Sequence, residues 1–438
     1  MTDTALYAEL SELLREGGAS ELIKRMHSHY VSWDEFLAMR LPSRMSPEAT
    51  WDLLKLVNRA AGIEIPIPDL AGNDYWYLRT HEVADAMARI QCLCRADSGL
   101  YLSLTATHNR RVLVRSRIDE TIAAALLDGL EIPEKAGLSL LQHERTPRTD
   151  TERLVTNTLS ALDHLDELVN ERFSEELFLH LRDLVLEGVN VERIKMRNPR
   201  LGLHPWDYAD TEVSEHAHQQ LQYISDYVNH TSGDVYDNAV FRALLLPDLF
   251  RFYRPLPNVN SQVGRLAFRL YAMKIGLPVL GLLPLSRSKL DWEDGKLGSS
   301  LVSLTPASYA AGREHDGVDL TAYATLALQL SLSALQDLHW ELHRLKERDD
   351  ELRTLLQRDP EINHRQRSVL GRALRNPTAE FRISYHKTTH NIVYATARAD
   401  LLELADKGFL EVGKSGRAMV FTPRPGLREY IEHGYGAK

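Results

Sequence analysis

The chain has 438 residues, 44% of them apolar and 26% charged, with 24 glycines and 18 prolines, a make-up that allows two or three globular domains and excludes disordered and fibrous classes. Its 52 basic side chains stand against 61 acidic ones, a net −9 that argues against a general nucleic-acid coat. The most apolar run, Ile275–Leu285, is broken by Gly276, Pro278, Gly281 and Pro284 and is too short for a bilayer; the N-terminus shows no signal pattern, and the two cysteines, Cys92 and Cys94, are too close to staple the chain, so a cytoplasmic protein with no membrane partner is expected.

Helical spacing dominates. Ala5–Met26 and Pro47–Ala61 carry apolar residues three and four apart, with Ser46 where an N-cap belongs and Pro47 at the first helical position. Further helices are predicted over Val83–Arg95, Val112–Asp128, Asp150–Asn170, Ser174–Leu186, Ser214–Tyr227 and Val240–Phe252. Loops are expected around Pro66, Pro68 and Gly72, over Asn198–Asp210 and over Ser286–Pro306. Strand-like alternation is scarce before residue 380, so the fold is predicted to be mostly α. Asp319–Gln357 is the longest helical run, and Leu335, Leu338, Leu342, Leu345, Leu352 and Leu356 fall on one heptad seam. It reads either as a helix packing on another subunit or as a connector lying on its own domain.

Beyond Pro360 the texture changes. Residues 361–423 hold ten Lys and Arg against six Asp and Glu, a local +4 that leaves −13 for the rest. Helices over Asn363–Leu374, Lys387–Ile392 and Val393–Lys407 precede two strand-like pieces, Phe409–Val412 and Ala418–Phe421, turned by Gly413–Arg417, which is the order of a winged helix. DNA contact is then expected from Tyr394, Thr396 and Arg398, with Arg382 and Lys387 beside them and Lys414 and Arg417 on the wing. The same module serves equally as a protein-docking or dimer surface, and sequence-specific DNA binding by one such module per chain requires a dimer.

No metal site is expected. His339 with His343 and His386 with His390 are i, i+4 pairs that lack a third ligand, and both pairs are read as solvated helix faces. P-loop, GxSxG and GxGxxG patterns are missing. The informative stretch is Phe252–Pro278, where a helix ends, a loop with two prolines and two asparagines follows, and an apolar helix begins near Val263. A loop that delivers backbone N–H groups into a helix N-terminus is built to hold an anion. Over Arg254–Arg265 this stretch resembles the HPFx(D/E)GNGRxxR motif of the Fic (Fido) family without a gap, matching at Pro255, Asn260 and Arg265.

The resemblance implies a Fic-like helical core, and it departs from the family where the chemistry lies. The family's His takes a proton from the target hydroxyl; Arg254 stands there, and a guanidinium does not accept a proton near neutral pH. The family's acid holds Mg²⁺ on the nucleotide, and Asn258 stands there with a neutral carbonyl, a poorer ligand for a hard dication. Val259 and Ser261 replace the two glycines, so that Val259 puts a Cβ where a glycine leaves room for phosphate, and Gln262 replaces the first arginine. Ser28–Phe36 and Ser46–Ala60 resemble the helical region at the N-terminus of many bacterial members. Arg115–Ala136 is similar to the segment holding the family's inhibitory helix, with Asp128 in place of the signature's Glu and Gly129 keeping its small residue. The resemblance implies a contact of Asp128 with Arg265; Asp128 as a plain helix-ending residue is the alternative. Glu176–Val189 resembles the helix before the target-docking flap, which places that flap near Asn198–Asp210 with Gly202, Leu203 and His204.

The expected arrangement is an N-terminal helical region (1–110), a Fic-like core (111–318) with the inhibitory-like segment at 115–136 and the degenerate motif at 254–265, a long connecting helix (319–359) and a winged helix (360–438). The expected function is that of a pseudoenzyme acting as a regulatory, DNA-binding or partner-binding protein. Two alternatives stay open. In one, Asn260, Ser261, Gln262 and Arg265 still hold ATP with weak or no Mg²⁺, and the chain is a nucleotide sensor. In the other it is an AMP transferase using another base, with Asp128, His204 and Tyr253 as candidates. DNA, a second copy of the chain and a Fic-type partner protein are the expected partners.

Overall fold

The computed structural model describes residues 19–41, 45–68, 72–106, 109–143, 145–194, 216–229, 238–297, 302, 304–306, 309, 318–358, 361–376, 378–415 and 418–432. These are mostly helical, and the chain divides into two units, Met1–His339 and Trp340–Lys438.

The first unit opens with α1 (Ala19–Ser28), α2 (Trp33–Leu37) and α3 (Pro47–Ala61). The Ser46 hydroxyl accepts the Ala49 N–H at 3.2 Å and Pro47 takes the first position, as the sequence predicts. Leu22, Phe36, Trp51 and Leu54 form the core of this group. Where a loop is expected, Ile63–Pro68 (β1) and Asp74–Tyr77 (β2) pair as antiparallel strands. Ile63, Ile65 and Ile67 are buried on one face, and this period of two outweighs the prolines, which are accommodated where the register shifts between Ile65 and Pro68.

Helices then follow almost without interruption: α4 (His81–Leu93), α5 (Gly99–Thr105), α6 (Arg110–Leu127), α7 (Glu134–Gln142), α8 (Asp150–Leu168), α9 (Glu175–Leu186), α10 (Ala217–Val228), α11 (Ala239–Tyr253), α12 (Asn260–Lys274), α13 (Pro278–Leu282), α14 (Leu285–Glu293) and α15 (Thr321–Arg358). Thr80, Ser98, Thr149 and Ser174 cap their helices through side-chain oxygens. Helix α14 corrects the loop expected over Ser286–Pro306. Leu290 and Trp292 face the core, the Trp292 indole donates to the Leu304 carbonyl at 2.6 Å, and Ser286 is held by a buried carboxylate described below. The expected flap, with Gly202, Leu203 and His204, lies outside the described residues.

The centre of the unit is the pair α11 and α12, whose residues are mostly buried. Gly264 lets them approach: a Cβ there would stand 3.0 Å from the Pro247 Cα and 3.0 Å from the Phe250 Cβ. Leu335 and Leu338 of the heptad seam are buried within the first unit.

The second unit has its own core of Val369, Leu370, Phe381, Leu401, Leu404, Phe409 and Phe421. Around it lie α16 (His364–Arg375), β3 (Phe381–Arg382), α17 (Ile383–His390), α18 (Tyr394–Asp406), β4 (Leu410–Ser415), β5 (Ala418–Pro423) and α19 (Leu427–Glu432). Helix α16 starts with a capping box between Asn363 and Gln366. The three strands form one antiparallel sheet in the order β3-β5-β4. Among the described residues no helix is long and apolar enough to cross a membrane, and no group of three or more His, Cys, Asp or Glu is placed to hold a metal.

Candidate functional site

Helix α11 is followed by Arg254, whose backbone is left-handed (φ 49°, ψ 51°) and whose N–H donates to the Phe250 carbonyl at 3.1 Å. Pro255 and Leu256 then turn inward and are buried. Asn260 closes the loop with its own side chain: Oδ1 accepts the Leu256 N–H at 3.0 Å and Nδ2 donates to the Leu256 carbonyl at 2.7 Å. Between them Val259 is also left-handed (φ 52°, ψ 26°). That conformation costs a β-branched residue roughly 1–3 kcal/mol. No side chain caps the first turn of α12, and Asn258 Oδ1 is buried without a hydrogen-bond partner.

Within the next turn Gln262 and Arg265 meet Asp128, which ends α6 just before the left-handed Gly129 (φ 76°). Gln262 Nε2 donates to Asp128 Oδ2 at 3.0 Å; Arg265 donates to both carboxylate oxygens, Nη1 to Oδ1 at 3.2 Å and Nη2 to Oδ2. Asp128 is only 4% exposed, so its charge is met inside the molecule by a guanidinium fork and an amide. It both ends the helix and makes the contact with Arg265. One turn further along α12, Arg269 stands 4.0 Å from Glu120, which also accepts the Ser286 N–H and hydroxyl, each at 2.7 Å. Burial pushes the Arg269 guanidinium down against the pull of Glu120.

Of the residues singled out from sequence, Asp128, Gly129, Gln262 and Arg265 are thus brought together. Asn260 is engaged with its own loop, Ser261 is half-buried beside it, and Arg254 is half-buried at the loop's other end. Tyr253 is buried and donates its hydroxyl to the Pro68 carbonyl at 2.6 Å. Glu120, Arg269 and Ser286 escaped the sequence reading, although a charged residue interrupting the apolar face of each helix was the signal to follow.

In the second unit Arg382, Lys387, Tyr394, Arg398 and Lys414 are exposed and Thr396 is half-buried; Arg417 lies outside the described residues. His386 corrects the expectation of a solvated face. It is buried, with Nε2 3.1 Å from Asp400 Oδ2, because the face it shares with His390 packs on α18. Asp400 also accepts a fork from Arg365 (2.7 and 2.9 Å) and the Asn363 amide at 2.9 Å. Burial alone would raise this carboxyl, but the bonds from Arg365, Asn363 and His386 pull it down to about 2.

No family model matches the chain, and no curated protein matches it. Solved structures do. The chain is similar to a Fic family protein from Desulfovibrio desulfuricans G20 at 13% identity, over 79% of this chain and 96% of that one, with a TM-score of 0.49. It is similar to a Fic domain containing signaling protein from Bacteroides thetaiotaomicron VPI-5482 at 16% identity, over 61% of this chain and 97% of that one, with a TM-score of 0.38. A third likeness is to Fic-1 from C. elegans, at 18% identity over 57% of this chain and 70% of that one, with a TM-score of 0.34. These three solved structures are of Fic or Fic domain containing proteins.

Proposed function

We propose that this chain is a regulatory protein built on a Fic-like helical core whose motif loop no longer supports AMP transfer. One observation carries the reading: Asn260 is committed to both polar groups of Leu256, with a guanidinium at the place of the general base. A transferase needs a group that removes a proton from the attacking hydroxyl, and Arg254 does not supply it. The test is incubation with labelled ATP and Mg²⁺, alone and in lysate. The expected result is no transfer to any protein; transfer that disappears in Arg254→Ala would overturn the reading.

The second unit supplies the output. Its arrangement of helices and hairpin is consistent with a winged helix, and Lys387 on α17 and Tyr394 and Arg398 on α18 are each exposed. Titration of duplex DNA at two salt concentrations is expected to show affinity that falls with salt and weakens in Arg398→Ala. No binding at low salt would leave a protein or a second copy of the chain as the partner.

A nucleotide-sensing reading is favoured by the first turn of α12, which no side chain caps, with Arg265 one turn away. Calorimetric titration of ATP into the wild-type chain and Arg265→Ala separates the two. Heat lost on substitution supports sensing, and no heat at millimolar nucleotide supports a fold kept for its surfaces.

A further inference from the structure

A cavity of about 110 Å³ lies inside the first unit among α6, α11, α12, α14 and the first turns of α15. Of its lining residues only Arg265 belongs to the 254–265 motif. Its apolar lining includes Leu127, Leu244, Phe268, Leu326 and Leu330. Its charged lining is Glu120, Asp248, Arg251, Arg265 and Lys289, three cations against two carboxylates, a formal +1. All five of these groups interact with other groups of the protein. Glu120 is bound by Ser286, Arg265 by Asp128, and Asp248 accepts the Tyr323 hydroxyl at 2.6 Å. Arg251 and Lys289 carry five and three N–H donors respectively, enough to serve a ligand in addition to protein partners.

We propose that this cavity binds a small organic carboxylate with a compact apolar body, the carboxylate accepting hydrogen bonds from Arg251 and Lys289 and the body lying against Leu127, Phe268 and Leu326. The volume is about three-quarters of the roughly 150 Å³ cavity that takes benzene, so the apolar body can be no larger than a single small ring, with the carboxylate at the charged side. An apolar lining with a few convergent polar groups is the usual form of a small-molecule site. The Lys289 ammonium is pushed down by burial against the pull of Asp248, so an incoming carboxylate favours its charged form. Arg265 belongs both to this lining and to the pair with Asp128, so occupancy bears directly on that contact.

The test uses the full chain with benzoate and its neutral isostere benzamide as probes, followed by calorimetry and thermal unfolding. Benzoate is expected to bind and raise the unfolding temperature with concentration, and benzamide to bind at least about tenfold more weakly. Lys289→Met, which keeps the apolar stem and removes the ammonium, is expected to lose about tenfold in benzoate affinity, and Ala327→Phe, which fills the cavity, to abolish binding of both probes. If Lys289→Met does not fold, Arg251→Gln is read in the same way. Absence of benzoate binding at about 10 mM, equal affinity for the two probes, or unchanged affinity in the charge-removing variant would each overturn the proposal. The substituted positions Lys289, Arg251 and Ala327 lie outside the 254–265 motif, so loss of benzoate binding in these variants is read separately from any nucleotide binding by the motif itself.

Discussion

Val259 and Asn260 are adjacent and act on the loop in opposite directions. The valine holds a left-handed backbone that disfavours a β-branched side chain, and the asparagine compensates by satisfying both polar groups of Leu256. Val259→Gly is therefore expected to stabilise the chain by roughly 1 kcal/mol, the relief of strain exceeding the entropy that glycine adds to the unfolded state. Asn260→Ala is expected to destabilise it by roughly 2–3 kcal/mol, since a buried peptide is left without its partners. Denaturant midpoints of the two variants should move in opposite directions, and a shared direction would contradict this description. The contact of Asp128 with Arg265 was legible in the sequence through the resemblance alone. Asn260 was read as a ligand-binding residue because a side-chain amide folding back on a peptide four residues earlier leaves no mark in spacing or composition.

Helices were legible where their ends were marked. Ser46, Ser174 and the Asn363 box each stand at the expected boundary, and α18 ends within a residue of the expected Lys407, just before Gly408, left-handed at φ 78°. Strand β1 was hidden by its prolines, and α14 by the proline and serines around its start. The packing of α16 against α18 rests on a cluster that the sequence did not suggest at all, because Asn363, Arg365, His386 and Asp400 are separated along the chain. Its pH dependence follows from the Asp400 carboxyl. With the native carboxyl at about 2 and the ordinary value at 3.8, the stabilisation is fully present above the ordinary value and is lost as pH falls through the native one. About 2 kcal/mol of second-unit stability should disappear between about pH 4 and pH 2. Asp400→Asn should be less stable than wild type at pH 6 by a comparable amount, with the gap closing below pH 2; a gap that stays constant with pH would show that the charge is not the source.

At the scale of the whole molecule, α15 is one continuous helix of 38 residues that contains the boundary between the units, with Trp340 57% exposed at that boundary. A side chain so exposed contributes little, and Trp340→Ala is expected to change stability by no more than about 0.5 kcal/mol. Trp340→Pro removes a helical hydrogen bond and should cost about 3 kcal/mol or more. Circular dichroism melts of the two variants measure how far the fold depends on continuity at this point, and equal melts would mean it does not. The self-closure of the loop between α11 and α12 also bears on which sequence changes this fold tolerates. A loop that needs a bound nucleotide to hold its shape ties every residue that touches the nucleotide to folding; one clasped by Asn260 on Leu256 ties folding to Asn260 and to the two left-handed positions, Arg254 and Val259. Saturation mutagenesis scored by abundance alone should therefore accept most substitutions at Ser261, mainly glycine and asparagine at the left-handed Val259, and few at Asn260, a pattern that singles out the residues that shape the loop.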